Sequence, residues 1–327
     1  MQNKRGMGEQ FNWIFVVVSG AIILGFFTMF AFRYIDLEEH KQDLASIRDF
    51  GNVLNALGKL SVGDKGASID SNNPEEGLRF GYKLNFNYEC NEDKARIYIN
   101  DGLFASYEFT DGVLFSENNN NVNALDLVIK PWKFPFHVTN IIYLSDTAKK
   151  YYFVYDSYSK EFVDNFEIGD AINVEMVKID ELKADKNSKI VFFLQKAPSE
   201  EKIESLKEDI SDVEFLYIDL GKKEVSFYNS GWEDGISYYG SDELMTGAIF
   251  SSYDNYECSL GRAFAKLNDT GNVVVERTNV LNQISRKGNC RYNDIADNIR
   301  SFIAGEYNLK DKIEEINKAG SGCLWLF

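Results

Sequence analysis

The sequence predicts an α/β protein, α+β overall. It reads as an N-terminal transmembrane helix and helical stalk, a β-rich segment, a β/α-alternating sheet and a helical C-terminal part. Three observations carry this. Residues 13–32, WIFVVVSGAIILGFFTMFAF, hold no ionisable side chain. Residues 78–129 alternate apolar and polar positions with the period of a half-buried strand. Residues 136–219 alternate strand-like runs with short helical pieces, the pattern of an open sheet with helices on its faces.

A twenty-residue apolar helix spans about 30 Å, the thickness of a bilayer's hydrocarbon core. A cleaved secretory signal has a shorter apolar core and ends on small residues, whereas this run closes on Phe30-Ala31-Phe32-Arg33. A soluble helix of that length would show a polar face. The sequence therefore places a cytoplasmic leader at 1–12 and a transmembrane helix at 13–33, with Trp13 and Tyr34 at the two interfaces. Lys4 and Arg5 precede the span, while Asp36, Glu38 and Glu39 follow Arg33. Basic residues stay on the cytoplasmic side, so the bulk of the chain is expected outside the cell. Ala21, Gly25 and Thr28 share one helix face and would let a second helix approach closely.

The chain of 327 residues carries a formal charge of −16. That balance repels phosphate backbones and argues against nucleic acid as a partner. With 25 Phe and 18 Tyr against 4 Pro, the remainder has the makings of a packed core.

Residues 34–60 read as a stalk, with Leu44, Ile47, Leu54 and Leu57 on one face and a soft break at Gly51. Its apolar face could serve assembly or pack on the chain's own domain. Residues 61–77, rich in Gly, Ser, Asp and Asn, read as a linker before an ectodomain at 78–327. Within the β-rich part, 78–135, strands are expected at 95–99, 103–109 and 113–115. Hairpin turns are expected at Asn100-Asp101-Gly102 and Asp111-Gly112, with Gly supplying positive φ, and the run Asn118 to Asn121 reads as a polar loop.

From 136 on, strands are expected at 138–144, 152–155, 172–177, 190–194 and 213–218, and helices at 159–165 and 199–209. A ligand in such a sheet sits at strand C-terminal ends, here near Asp156, Ser157 or Asp219, although no Gly-rich phosphate loop is present. Helices are expected at 242–251, 254–267, 277–285, 292–303 and 309–318, with a short strand at 273–275. The apolar tail 320–327 is expected to dock as a terminal strand or plug.

Cys90, Cys258, Cys290 and Cys323 are an even set on the expected outside, where thiols pair. Three connectivities exist; Cys258–Cys290 with Cys90–Cys323 is the expected one, and four free buried thiols are the alternative. No Cys-x-x-Cys occurs and His40 and His137 lie far from any Cys, so neither a metal nor another cofactor is indicated. His137, in a strand-like setting, reads as a core residue, and no hydrolase or nucleotide signature is present. Asn268-Asp269-Thr270 is a glycosylation acceptor, expected on a surface loop.

The leader Lys4-Arg5-Gly6-Met7-Gly8-Glu9-Gln10 runs straight into the apolar segment. It resembles the class III signal of archaeal type IV pilins and archaellins. That resemblance implies cleavage after Gly6, a mature chain beginning at Met7, and retention of the apolar helix. The strings QFNWIFVVVSGAIILGFF, KPWKFPFHVTNIIYL and GAIFSSYDNYECSLGRAFAKL are similar to uncharacterised single-pass surface proteins of small-genome archaea. This implies a location and a shape, and no reaction. The expectation is a membrane-anchored cell-surface protein, non-enzymatic and pilin-like or adhesive. Its partners would be the bilayer and, through the N-terminal helix, copies of itself or other pilin-like subunits. The alternative is a membrane-tethered hydrolase or ligand-binding ectodomain with its site at the sheet's C-terminal edge.

Overall fold

The computed structural model describes residues 5–59, 67–69, 78–91, 94–100, 105–209, 212–284, 290 and 292–318. Helix α1 (Arg5–Lys59) runs through 55 residues, a rod of about 82 Å at 1.5 Å per residue. Its large apolar side chains from Val16 to Phe32 are all more than half exposed. The stretch Val16–Tyr34 is long and apolar enough to cross a membrane, with mean hydropathy 2.0 and none of it buried within the protein. From Asp43 on, the helix changes role. Ile47, Phe50, Leu54 and Leu57 are buried and join the core of the first sheet. The stalk thus packs on the chain's own domain. The break expected at Gly51 does not occur. An added Cβ there would stand 2.4 Å from Tyr107 Cδ2, so this glycine serves close approach of helix to sheet, not a bend.

The first sheet contains β1 (Ala67–Ile69), β2 (Leu78–Cys90), β3 (Ala95–Ile99), β4 (Ser106–Phe109), β5 (Val113–Phe115), β6 (Asn119–Lys133) and β7 (His137–Asp146). Its order is β4-β3-β2-β6-β7-β5, with β1 also on β6. All pairs are antiparallel except β5 with β7. Two turn expectations change. β4 and β5 lie at opposite edges, so Asp111-Gly112 begins a crossing and closes no hairpin. Gly112 has no positive φ; a Cβ there would meet Asn140 O at 3.1 Å and the Phe109 ring at 3.0 Å. The asparagine run is not a loop but the start of β6, where the register against β2 shifts. Asn118 Oδ1 accepts the Tyr88 N–H at 2.7 Å, a side chain standing in for a ladder carbonyl. β1 lies inside the segment read as a linker and pairs with β6.

The second sheet is built from β8 (Lys150–Tyr155), β9 (Val174–Lys178), β10 (Ser188–Phe193), β11 (Val213–Asp219), β12 (Glu224–Tyr228) and β13 (Ile236–Ser237), in the order β13-β12-β11-β10-β8-β9. The strands β9, β8, β10 and β11 are parallel; β12 and β13 add an antiparallel edge. Between them run α2 (Lys160–Asn165) and α3 (Glu200–Asp209). Val163 of α2 belongs to the core on one face of the sheet and Ile203 of α3 to the core on the other. This is the open α/β arrangement the sequence predicts.

Four further helices follow: α4 (Asp242–Ile249), α5 (Tyr253–Ile284), α6 (Tyr292–Ile303) and α7 (Lys310–Lys318), with a 3-10 turn at Tyr307–Leu309 before the last. The two helices and the strand expected between 254 and 285 are one helix of 32 residues. Val274 and Val275 are buried while Val273 faces solvent, a helical and not an alternating pattern. The main core draws on both sheets and on α4 to α7, so the two sheets share a single interior. The tail 320–327 lies outside the described residues.

Candidate functional site

In an open parallel sheet, a ligand crevice forms where two neighbouring strands send their connections to opposite sides. Here that point lies between β8 and β10: β8 leads through α2 to β9, and β10 leads through α3 to β11. Asp156 follows β8 at this point, as the sequence reading places it. Its carboxylate is already engaged. Oδ1 accepts the N–H groups of Tyr158 at 2.9 Å and Ser159 at 3.1 Å, and Oδ2 accepts the N–H of Gln195, after β10, at 2.9 Å. The Ser159 hydroxyl donates to Oδ1 at 3.3 Å. Partial burial raises the Asp156 pKa, but the three backbone donors outweigh it and hold the group below its ordinary value. A carboxylate of the chain itself thus occupies the place where a bound anion would meet these N–H groups.

Asp219 behaves likewise: its Oδ1 accepts from the N–H groups of Gly221 at 3.0 Å and Lys222 at 2.9 Å. The Tyr217 phenol is pushed up to about 12 by burial, then by Asp219 and Asp156. Tyr238 is pushed up to about 12 by burial, then by Asp242, Asp219 and Tyr158. These groups share one rim of the sheet, and the carboxylates among them are tied into turns. They form a braced edge more than a reactive one. Ser157, in the same loop, is exposed.

At the opposite, N-terminal end of the parallel strands lies a buried ion cluster that the sequence reading missed. Glu117, just after β5, pairs with Lys149 before β8 and with Lys189 of β10, the latter at 2.6 Å. Lys149 also meets Glu214 of β11 at 2.9 Å, and Lys189 donates to Ser251 O at 2.6 Å. Glu117, Lys149 and Lys189 are all buried. Burial alone would raise the Glu117 pKa; the two ammonium groups overcome it and bring it to about 2. Burial would lower Lys149, yet Glu117 and Glu214 hold it above its ordinary value. The cluster fastens the first sheet to the second. In a chain with 51 acidic and 35 basic residues, nothing in the local sequence distinguishes these four.

The remaining expected sites fall as follows. Ala21, Gly25 and Thr28 lie together on one open face of the bare part of α1, with Leu24, Met29, Phe32 and Arg33. The Thr28 hydroxyl donates back to Leu24 O at 2.7 Å. Gly6 and Met7 lie within α1 near its start. Cys90 pairs with Cys258, Cα atoms 5.8 Å apart, joining β2 to α5. This overturns the expected Cys258–Cys290 and Cys90–Cys323 pairing. The sheet packs β2 against α5, which brings together two residues 168 positions apart. Cys290 is disulfide-bonded as well, and Cys323 lies outside the described residues. Asn268 is exposed, but it sits within α5 and not on a loop. His137 begins β7 and is exposed, where a core position was expected. Among the described residues, no group of three or more His, Cys, Asp or Glu side chains could hold a metal ion.

Compared with known proteins, the chain matches no family model, no curated protein and no solved structure.

Proposed function

We propose that this chain is a single-pass, membrane-anchored cell-surface protein with a non-enzymatic, pilin-like or adhesive role, assembling through its N-terminal helix. The observation that carries the reading is α1 itself. One uninterrupted helix is bare and apolar over Val16–Tyr34 and packed into a β-sheet over its last turns. A helix that is greasy first and amphipathic later is what a pilin-like architecture requires. The small residues Ala21, Gly25 and Thr28 offer a face for a neighbouring helix. The Cys90–Cys258 bond suits an oxidising exterior. A tethered hydrolase has less behind it, because backbone N–H groups of its own turn and of Gln195 hold both Asp156 oxygens, and its own turn holds Asp219 Oδ1.

Mass spectrometry of the native N-terminus tests the reading. A mature chain beginning at Met7 is the expected result; an intact Met1 counts against the pilin-like role. External protease acting on intact cells should remove the body.

A further inference from the structure

We propose that copies of this chain meet in the membrane through the side of α1 that faces away from the body, formed by Val16, Gly20, Ile23, Phe27, Phe30 and Tyr34. The proposal rests on the anchoring and assembly proposed above and names the side of the helix that copies share.

Helical phase carries the assignment. Eighteen residues of α-helix make about five full turns, so residues eighteen apart point the same way. Because α1 is unbroken from Arg5 to Lys59, the phase runs from the apolar stretch into the body. Gly25, Met29 and Phe32 share their directions with Asp43, Ile47 and Phe50, which are buried. Ile23, Phe27, Phe30 and Tyr34 share theirs with Lys41, Ala45, Arg48 and Asn52, which are all exposed. The apolar stretch thus has one side beneath the body and one side clear of it.

A neighbouring helix packs with its axis about 8–10 Å away. On the Gly25 side that space is taken past the apolar stretch. There Asp43 Oδ1 accepts the Tyr82 hydroxyl at 2.5 Å, and the Phe50 and Phe86 ring centroids stand 5.8 Å apart. A second α1, itself an unbroken rod, would run into the first sheet. On the far side Ala45, Arg48 and Asn52 are open to solvent, so two rods can run side by side.

Spacing and size both suit a second copy. From Val16 to Tyr34 the six residues alternate steps of four and three, the spacing of knobs and holes between near-parallel helices. A Cβ added at Gly20 would meet nothing within 4 Å, so that position is a hole a neighbour's ring can fill. Phe27, Phe30 and Tyr34 are 64 %, 62 % and 59 % open. With Val16 and Ile23 they supply about 500 Å² per copy and about 1,000 Å² in a pair, the lower bound of a specific interface. Beyond Tyr34 the same side turns polar at Lys41, Arg48 and Asn52, so the apolar contact ends there.

Cysteine cross-linking of the full chain in its native membrane tests this, with the parent as background for the chain's own cysteines. Phe27→Cys and Gly25→Cys are each oxidised with copper phenanthroline, and dimer is read on a non-reducing gel. Phe27→Cys should give at least about 10-fold more dimer, since a disulfide needs Cβ atoms about 4 Å apart. Both positions lie outside the body, so its melt should match the parent's. Equal or greater dimer from Gly25→Cys would overturn the proposal and leave assembly through α1 standing. No dimer above the parent from either variant would remove both. The result is read without reference to where the mature chain begins, so a wrong leader assignment and a wrong helix face are told apart.

Discussion

Glu117 illustrates how one side chain can decide whether two sheets stay joined. Removing its charge leaves Lys149 and Lys189 buried with their main counter-ion gone. Breaking such a group by taking away one partner costs about 3–5 kcal/mol, so Glu117→Gln should lower stability by that order in urea unfolding. The pH dependence has a definite sign. The folded pKa, about 2, lies below the ordinary 4.5. The stabilisation is therefore complete above pH 4.5 and is lost as pH falls toward 2. The parent should lose stability across that acid window, and Glu117→Gln should lack this share of the loss. None of this was legible in the sequence. Glu117 precedes a run of asparagines, and its two lysine partners come from two other segments. Asp156 was legible as a place, because strand ends in α/β sheets are privileged; its engagement with Gln195 depends on how two loops meet.

At the scale of elements, the sequence was most readable where one face is strictly apolar. The strand at 95–99 and the helix at 292–303 fall where the periodicity puts them. It was least readable where packing overrides local preference. Val273-Val274-Val275 favours a strand by composition, yet α5 runs through it because two of the three reach the shared core. Pro131 argues against a strand, yet β6 carries it where only β7 lies alongside. Gly51 resembles a break and is a contact. Gly51→Ala should therefore destabilise the body by about 1–3 kcal/mol, an overpacking effect, read as a lower melting temperature. Gly25→Ala meets nothing within 4 Å in the folded chain. It should leave the body's melt unchanged and reduce cross-linking between copies in the membrane if that face serves assembly.

Across the whole molecule, both sheets contribute to one core and are tied by the Glu117 cluster and by Cys90–Cys258. A single cooperative unfolding transition is expected for the body, without separate melting of the two sheets. The cysteines give an independent reading of compartment. A thiol reagent applied to the denatured, unreduced native protein should leave Cys90, Cys258 and Cys290 unlabelled, and all three should label after reduction. Labelling before reduction would place the body in a reducing compartment and remove the support for an outward orientation. The overall class was visible in advance because hydropathy and periodicity report on it directly. The joint between the sheets was not, since it depends on partners that meet only after the chain has folded.

The continuity of α1 has a mechanical consequence. A hydrogen-bonded rod that is long and apolar enough at one end to cross a bilayer, and is packed against a sheet at the other, has no elbow at which to yield. Were the apolar portion held in a bilayer, any lean of it would be carried straight into the body, swinging it as a mast swings with the deck. A pull on the body would in turn load Ile47, Phe50, Leu54 and Leu57 in shear before it reached any loop.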